Sequence, residues 1–292
     1  MNLNQLRIFH VAAKLQSFTL ASEHLHLTQP GISKHIKGLE EHYGLRLFDR
    51  LGKKVVLTQA GEILFAATGK ISNLLNDVGK QIDDLKGLSG GKLTLGASFT
   101  AGTYILPTIL GNYRKKYPDV QIQLDIALSR QVSEKVLMNT LDLGFVGHSI
   151  YDERLIIKNF FLDELVVIVP ADHEWASKKT VSPDELVRQQ FILARQGSGT
   201  RKSLEEKLKK IGVTLEKTLE FGNTETVKKA VEAGLGISII SGHAIVRELS
   251  AGTLKALSIS KGNFTRTFSV IHLKDKYLNN AVTALLNFLP AM

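Results

Sequence analysis

Hydroxyl side chains and glycines cluster at three places where a short apolar stretch gives way to a helical pattern. These places are residues 98–103, 197–200 and 223–224. Hydroxyls and free backbone N–H groups at helix starts bind small anions, and glycine lets the backbone approach a ligand closely. Helix capping is the commoner role of any single Ser or Thr. Because three such places occur together, we predict a shared site that surrounds an oxyanion without a dedicated arginine, although Arg195 could add charge.

A second set of polar residues suits contact with DNA. Gln29, Ser33, Lys34 and Lys37 lie outside or at the N-terminal end of a helix whose other side is apolar. Glutamine can bond two atoms of one base edge, lysine reaches guanine or phosphate, and a helix N-terminus favours phosphate. These residues therefore predict a DNA-reading helix.

Two further helices and a hairpin would position that helix. Apolar residues at helical spacing predict a first helix, Ser17 can cap a second, and Thr28 can cap a third with Pro30 in its first turn. After Gly44, a predicted C-cap, the strand-like segments 45–50 and 55–57 flank a basic turn at 51–54. This order is typical of a winged helix-turn-helix. The alternative is a small three-helix packing module with a solvated basic face.

A long helix should follow the hairpin. Thr58 can cap it, and residues 59–86 contain no proline. Apolar residues recur at two positions of a heptad, which is typical of paired helices; the alternative is a helix packed on its own domain. The candidate dimerisation residues are Leu64, Ile71, Leu75, Val78, Ile82 and Leu85.

Beyond a glycine-containing hinge at 88–91, short apolar segments alternate with amphipathic ones. The predicted strands are 93–97, 120–126, 143–146, 165–169, 191–194, 237–240 and 268–272, and the predicted helices are 104–117, 201–210, 224–233, 243–249 and 279–289. This alternation predicts an α/β fold with mostly parallel sheets. The periodicity fits one domain or two lobes equally well.

Composition and charge set the class of protein. The 292 residues suffice for two or three domains, and 43% hydrophobic residues is the value of an ordinary globular chain. Residues 1–58 hold eight Lys or Arg against four Asp or Glu, so positive charge is densest at the N-terminus. Since no apolar run could span a bilayer and the first residues lack a secretory pattern, we expect a cytoplasmic protein with no membrane partner.

Enzyme and metal chemistry lack the residues to support them. A sequence without cysteine excludes disulfides, thiolate metal sites and cysteine nucleophiles. Residues 197–203 are superficially similar to a phosphate-binding loop, but Arg201 stands where glycine is required. The histidines lack the spacing of a helical metal site, and no nucleophile elbow occurs. We therefore expect no catalytic residue, no metal and no cofactor.

The N-terminal motifs resemble those of the LysR-type transcriptional regulators. The match is most specific in SFTLASEHLHLTQPGISKHIKGLE at 17–40, in LFDR at 47–50 and in LTQAG at 57–61, and the resemblance extends over the whole chain. It implies major-groove contacts by Gln29, Pro30, Ser33 and Lys34, and a minor-groove contact by Lys53. The family usually has Arg where this chain has Lys34, and lysine lacks the planar fork of a bidentate contact. The candidate DNA-binding residues are Thr28, Gln29, Pro30, Ser33, Lys34, Lys37, Arg50, Lys53 and Lys54.

The same resemblance implies three parts. They are a winged helix-turn-helix at 1–58, a linker and dimerisation helix at 59–87, and an effector-binding domain at 88–292 similar to type 2 periplasmic binding proteins. Lobe one would be about 91–161 plus 267–292, and lobe two about 162–266. The expected effector-binding residues in the cleft between the lobes are Ser98, Thr100, Ala101, Gly147, Ser198, Gly199, Thr200 and Thr224.

The stretches 96–107, 197–200, 221–225 and 232–238 look most like the CysL and CbbR branch of that family, whose members tend to control sulfur or carbon assimilation. The implied partners are double-stranded promoter DNA, a small anionic effector and a second copy in a homodimer. A homotetramer of two dimers is further implied, and RNA polymerase is a candidate partner. The rival function is a solute-binding protein of the same two-lobed fold, which would need a secretory signal and no DNA-reading domain.

Overall fold

The computed structural model describes residues 1–51, 54–84, 91–147 and 151–290, without the side chains of Arg50, Leu51, Lys54, Lys80, Asp83 and Asp84. Lys53, Leu85 and most of the predicted hinge at 88–91 lie outside these residues. The chain forms two compact units, Met1–Ile82 and Asp83–Met292. No helix within the described ranges is both long enough and apolar enough to cross a membrane.

The first unit contains three helices, a hairpin and a long fourth helix. Its elements are α1 (Leu3–Leu15), α2 (Phe18–Leu25), α3 (Gln29–Tyr43), β1 (Phe48–Leu51), β2 (Lys54–Leu57) and α4 (Gln59–Asp84). Ser17 Oγ accepts from the Leu20 amide at 3.2 Å, and Thr28 Oγ1 accepts from the Gly31 amide at 3.3 Å. Gly44 ends α3 with a φ of +67°, a conformation that glycine adopts without strain. The predicted caps are therefore confirmed.

A compact core holds these elements together. Phe9, Ile32 and Leu39 are fully buried in it, and Phe48 packs on it from the hairpin. Strands β1 and β2 pair antiparallel, with Phe48 opposite Leu57. The two predicted strands after the three helices are thus present.

Helix α4 begins where predicted, because Thr58 Oγ1 accepts from the Gly61 amide at 3.1 Å. Its first turns pack on the core of their own unit. Leu64 and Thr68 are buried there, Thr68 Oγ1 lies 3.0 Å from His10 Nδ1, and the His10 ring stacks on Phe65. Burial, together with the nearby Lys14 charge, lowers the pKa of His10, which favours its neutral form.

The second unit is an α/β structure. Its elements are β3 (Gly91–Ala97), a π-helical turn (Ala101–Ile105), α5 (Leu106–Lys116), β4 (Val120–Ile126), α6 (Ser129–Leu137), β5 (Leu143–Val146), β6 (Leu155–Pro170), β7 (Thr180–Val181), α7 (Pro183–Val187), β8 (Gln190–Ala194), α8 (Gly199–Lys210), β9 (Lys217–Phe221), α9 (Thr224–Glu232), β10 (Ser238–Ser241), a 3-10 turn (Gly242–Ala244), α10 (Val246–Ala251), β11 (Leu254–Ile259), β12 (Thr265–Leu273) and α11 (Asn280–Phe288).

Its main sheet is mixed, so the expectation of mostly parallel sheets is wrong. The strand order is β4-β3-β5-β12-β6-β11-β7, and β10 also pairs with β6. Strand β3 is parallel to β4 and β5, but β12 is antiparallel to β5 and β6, and β6 is antiparallel to β10 and β11. The cause is β6, a 16-residue strand of which the sequence pattern predicted only 165–169.

Separate hydrophobic cores lie at the two ends of β6 and β12. One contains Leu95, Tyr113 and Phe145, and the other contains Val167 and Phe191. Between the cores, β6 and β12 pair continuously from Leu155–Leu273 to Glu164–Thr265, with a bulge after Phe268. This arrangement confirms the predicted class, a two-lobed α/β domain, and the two long strands cross between the lobes.

Candidate ligand cleft and nucleic-acid interface

The exposed side of α3 carries the predicted DNA contacts. Thr28, Gln29, Pro30, Lys34 and Lys37 are exposed, and Ser33 is half-buried. The opposite side of the helix is buried through Ile32, Ile36 and Leu39. Amide, hydroxyl and ammonium groups therefore point outward from a helix held firmly by its core. Of the remaining candidates, Lys53 and the side chains of Arg50 and Lys54 lie outside what the structure describes.

The predicted dimerisation seam divides into two halves. Leu64 is only 9% exposed within its own unit, and Ile71 is partly buried against the same core. Leu75, Val78 and Ile82 are 52%, 44% and 54% exposed. The first half of α4 thus packs on its own domain, which was the alternative hypothesis to a dimerisation helix. In the second half, these three seam residues leave an apolar face uncovered within the described chain.

A small cleft, partly open to solvent, gathers the predicted ligand residues. The predicted residues that line it are Ser98, Thr100, Gly147, Ser198, Gly199, Thr200 and Thr224. The remaining predicted residue, Ala101, lies in the hydrophobic core instead. Arg195 also lines the cleft, and its side chain is exposed. Residues 100 apart in sequence are therefore brought to one site.

Capping explains only one of the three hydroxyl clusters. Asn223 Oδ1 accepts from the Thr226 amide at 3.0 Å and caps α9. In the described chain, the side chains of Thr100 and Ser198 make no capping bond to the helices that they precede. Their hydroxyls are therefore available for another role.

Sequence reasoning missed Arg266, which connects the clusters. Its Nε donates to Asp163 Oδ2 at 2.7 Å. Its Nη1 donates to Thr200 Oγ1 at 2.9 Å and its Nη2 to Thr100 Oγ1 at 3.3 Å. The sequence predicted no such arginine here, but Arg266 on β12 lines the cleft and donates to both threonines. The sequence signal was weak, because the two strands that carry Asp163 and Arg266 also contain other charged or polar residues.

The Arg266–Asp163 ion pair is buried at the strand crossing. The two residues are register partners on β12 and β6, and their side chains are 4% and 0% exposed. Asp163 Oδ1 also accepts from Ser241 Oγ at 2.5 Å and lies 3.2 Å from His243 Nδ1. Burial lowers the pKa of Arg266 and Asp163 opposes that shift, so the guanidinium stays charged.

Two further hydroxyls in the cleft have no partner. Within the described residues, Ser98 Oγ and Ser129 Oγ are buried and make no hydrogen bond. Both residues line the cleft, and Ser129 begins α6. A buried polar group without a partner costs free energy, and such groups in native structures usually meet a ligand, an ion or a water. Ser129 was not predicted, since Leu128 before it gives no capping signal.

A second bridge spans the cleft beside Thr224. The Tyr104 hydroxyl donates to Glu225 Oε1 at the start of α9. Lys228 lies 3.0 Å from Glu225, 2.7 Å from Glu248 and 5.2 Å from the Tyr104 ring centre. Burial, with the Glu225 carboxylate beside it, raises the pKa of Tyr104 and keeps the hydroxyl protonated.

Comparison with known proteins agrees with both units. Residues 3–62 match the bacterial regulatory helix-turn-helix protein, lysR family, and residues 86–292 match the LysR substrate binding domain. The HTH-type transcriptional activator CmpR of Synechocystis sp. is 34% identical over 98% of this chain and 94% of its own length. The RuBisCO operon transcriptional regulator of Allochromatium vinosum is 32% identical over 99% and 95%.

A solved structure extends the comparison to the second unit. The regulatory domain of CcmR from Synechocystis PCC6803, in complex with 2-PG, is 30% identical, with a TM-score of 0.63 over 68% of this chain and 95% of that chain. The RuBisCO operon regulator and CmpR are LysR regulators of the CbbR and CmpR type, and the effector-domain motifs had predicted the CysL and CbbR branch. The chain belongs to the LysR family of transcriptional regulators, with an N-terminal DNA-binding domain and a C-terminal effector-binding domain.

Proposed function

We propose that this regulator binds promoter DNA as a dimer and that a small anion in its cleft modulates this binding. The observation that carries the effector half is the pair of buried, unpartnered hydroxyls of Ser98 and Ser129 in a cleft lined by helix starts. Donors at helix starts favour negative charge. The relative that holds 2-PG supports a small metabolite as ligand and makes 2-PG the first compound to test.

The DNA half rests on the exposed side of α3 and on the end of α4. Gln29 and Lys34 would read bases in the major groove, while Lys37 and the wing residues Arg50, Lys53 and Lys54 would hold phosphates. The exposed residues Leu75, Val78 and Ile82 would pair with the same face of a second copy. A two-fold dimer presents two reading helices to two half-sites.

The effector would act by joining the lobes. Thr100 follows β3 at one core, and Thr200 lies in α8 at the other. A ligand that bonds both favours the closed arrangement over any more open one, in proportion to its difference in affinity. In a dimer this would change which DNA spacing or bend is bound.

The rival function, a solute-binding protein of the same fold, gives no role to a helix-turn-helix domain. Residues 3–62 match that domain, which favours the regulator.

The experiment is a footprint of the full chain on the DNA upstream of its own gene, with and without 2-PG and a panel of small anionic metabolites. We expect protection of two half-sites whose extent changes with one ligand, while random DNA of equal length shows no defined protection. The Thr200→Val variant should need about 10- to 150-fold more ligand for the same change in footprint, because one hydrogen bond to the charged ligand is lost. A footprint that no anion changes would contradict the effector half, and unselective protection would contradict the DNA half.

A further inference from the structure

The direction of the hydroxyl protons in the cleft is set by Arg266. A guanidinium can donate hydrogen bonds but cannot accept them. Thr200 Oγ1 and Thr100 Oγ1 therefore act as acceptors toward Arg266, at 2.9 and 3.3 Å. The two threonine oxygens lie 3.3 Å from each other, so one hydroxyl proton at most is shared between them. At least one remaining proton must be donated elsewhere, and the cleft is the free direction.

Two further hydroxyls in the described lining can donate to a ligand, and no carboxylate of the described lining competes for their protons. Ser98 Oγ and Ser129 Oγ have no partner and are free to rotate their protons toward a ligand. Among the described residues that line the cleft there is no Asp or Glu. Asp163, which lies behind Arg266, is already engaged by Arg266, Ser241 and His243. A ligand O–H group could bond to one of these hydroxyl oxygens, but the proton of that hydroxyl would then lose the ligand oxygen as its acceptor.

The geometry of the ion pair holds this arrangement in place. Asp163 is the register partner of Arg266 on the neighbouring strand, so the pairing of the two strands fixes the position of the guanidinium group. Of the two threonines that it reaches, one follows β3 and the other lies in the first turn of α8. A lysine could keep the charge and the contact with Asp163, but a single ammonium lacks the rigid fork that serves two oxygens.

We propose that Arg266 is a positioning residue that makes the cleft selective for fully deprotonated oxyanions, by directing at least one hydroxyl proton of the pair Thr100 and Thr200 toward the ligand. The selected class is the sulfate, the carboxylate and the dianionic phosphate monoester. Hydrogen phosphate, which presents an O–H group, is disfavoured. This inference rests on the proposed anion site and adds the rule by which that site chooses among anions.

The test is calorimetric titration of the full chain at about pH 8 with sulfate, methyl phosphate and inorganic phosphate. All three are mainly dianions there, and only inorganic phosphate carries an O–H group. For the wild-type chain we expect sulfate and methyl phosphate to bind at least about tenfold more tightly than inorganic phosphate. The reason is that the extra O–H group of bound inorganic phosphate leaves one hydrogen-bond donor in the cleft without an acceptor. Equal binding of sulfate and inorganic phosphate would overturn the proposal.

Variants separate selection from folding. In Arg266→Lys, the dissociation constants of sulfate and inorganic phosphate should differ by no more than about twofold. Arg154→Lys, which changes an exposed pair with Asp152, should leave the wild-type difference between the two constants unchanged. Arg266→Gln with Asp163→Asn removes both buried charges together, so that neither is left unpaired, and should also abolish the preference. Retention of the wild-type ratio in both Arg266 variants would overturn the inference and leave the anion site standing. A wild-type chain that binds neither these anions nor 2-PG would overturn the site itself.

Discussion

We expect Ser98 and Ser129 to contribute to ligand binding but not to the stability of the ligand-free protein. Each hydroxyl is buried without a partner in the described chain, so the ligand-free protein gains nothing from it. We predict that Ser129→Ala leaves the free energy of unfolding within about 0.5 kcal/mol of wild type or raises it, while the affinity for the effector falls about tenfold or more. Urea unfolding and calorimetry measure the two quantities.

The matched control is Ser241→Ala. Ser241 is equally buried, but its hydroxyl donates to Asp163 at 2.5 Å. Its loss should cost about 1.5–3 kcal/mol of stability, because a bond to a charged group is removed. If Ser129→Ala destabilised the chain as much as Ser241→Ala and left ligand affinity intact, Ser129 would be a structural residue.

Gln29 and Lys37 belong to the same exposed side of α3 but should act differently on DNA. Gln29→Ala should cost about 1–3 kcal/mol on the specific site and relax base discrimination. Lys37→Ala should weaken specific and random DNA alike and reduce the salt slope by about one. Binding is measured by fluorescence anisotropy over a range of salt. An equal loss on specific and random DNA for Gln29→Ala would contradict its assignment to base reading.

At this scale, local pattern predicts hydroxyls but not their partners. Thr100 and Thr200 were predicted from glycine, hydroxyl and helix start alone, and they lie in one cleft. Arg266 escaped prediction, because its partner Asp163 is 103 residues away and their pairing depends on the register of two strands. A buried ion pair between two strands that are far apart in sequence produces no periodic pattern from which it could be predicted.

Helix α4 changes its environment along its length. Its N-terminal turns are buried through Leu64, whereas Leu75 and Ile82 stay exposed. We predict that Leu75→Glu with Ile82→Glu splits the dimer, since charges would be buried at the interface without partners. The affinity for the two-half-site DNA should fall with it, because bivalent binding is lost. Sedimentation velocity measures the assembly.

The control places the same two acids elsewhere on the helix. Ser72→Glu with Asn76→Glu changes exposed polar positions and should leave the dimer intact. An unchanged oligomer in the Leu75/Ile82 variant would mean that these residues do not form the interface.

Among the elements, strands with a clear apolar pattern were the easiest to predict. The strands 120–126 and 143–146 coincide with β4 and β5: β4 alternates apolar and polar residues, and β5 is a short, fully buried run. Strand β9 was missed because its residues are mostly exposed, and α6 because only Val132 and Val136 mark its buried side. The antiparallel pairing of β6 and β12 is a property of the whole domain and could not be deduced from either segment.

At the scale of the effector domain, the two cores are joined by crossing strands and by side-chain bridges. We predict that Tyr104→Phe, which removes the bond to Glu225, shifts the population toward open forms. Effector affinity should fall about two- to tenfold, and the amides of the π-helical turn Ala101–Ile105 should exchange hydrogen faster.

Tyr113→Phe is the matched control. It also removes one tyrosine bond, to the Ala281 carbonyl at 3.0 Å, but within a single core. It should lower stability by about 0.5–1.5 kcal/mol without changing effector affinity. Equal effects of the two variants on affinity would show that the Tyr104 bridge has no special part in closure.

The most direct test of a ligand-controlled cleft is a calorimetric titration of the full chain with its effector, comparing wild type with Thr100→Val and Thr200→Val. Each variant keeps the side-chain volume and removes one hydroxyl held by Arg266. The dissociation constant should rise about 10- to 150-fold in each, because a hydrogen bond to a charged ligand contributes about 1.5–3 kcal/mol. DNA binding without effector should stay nearly unchanged. Wild-type affinity in both variants would place the effector elsewhere and contradict the assignment of this cleft.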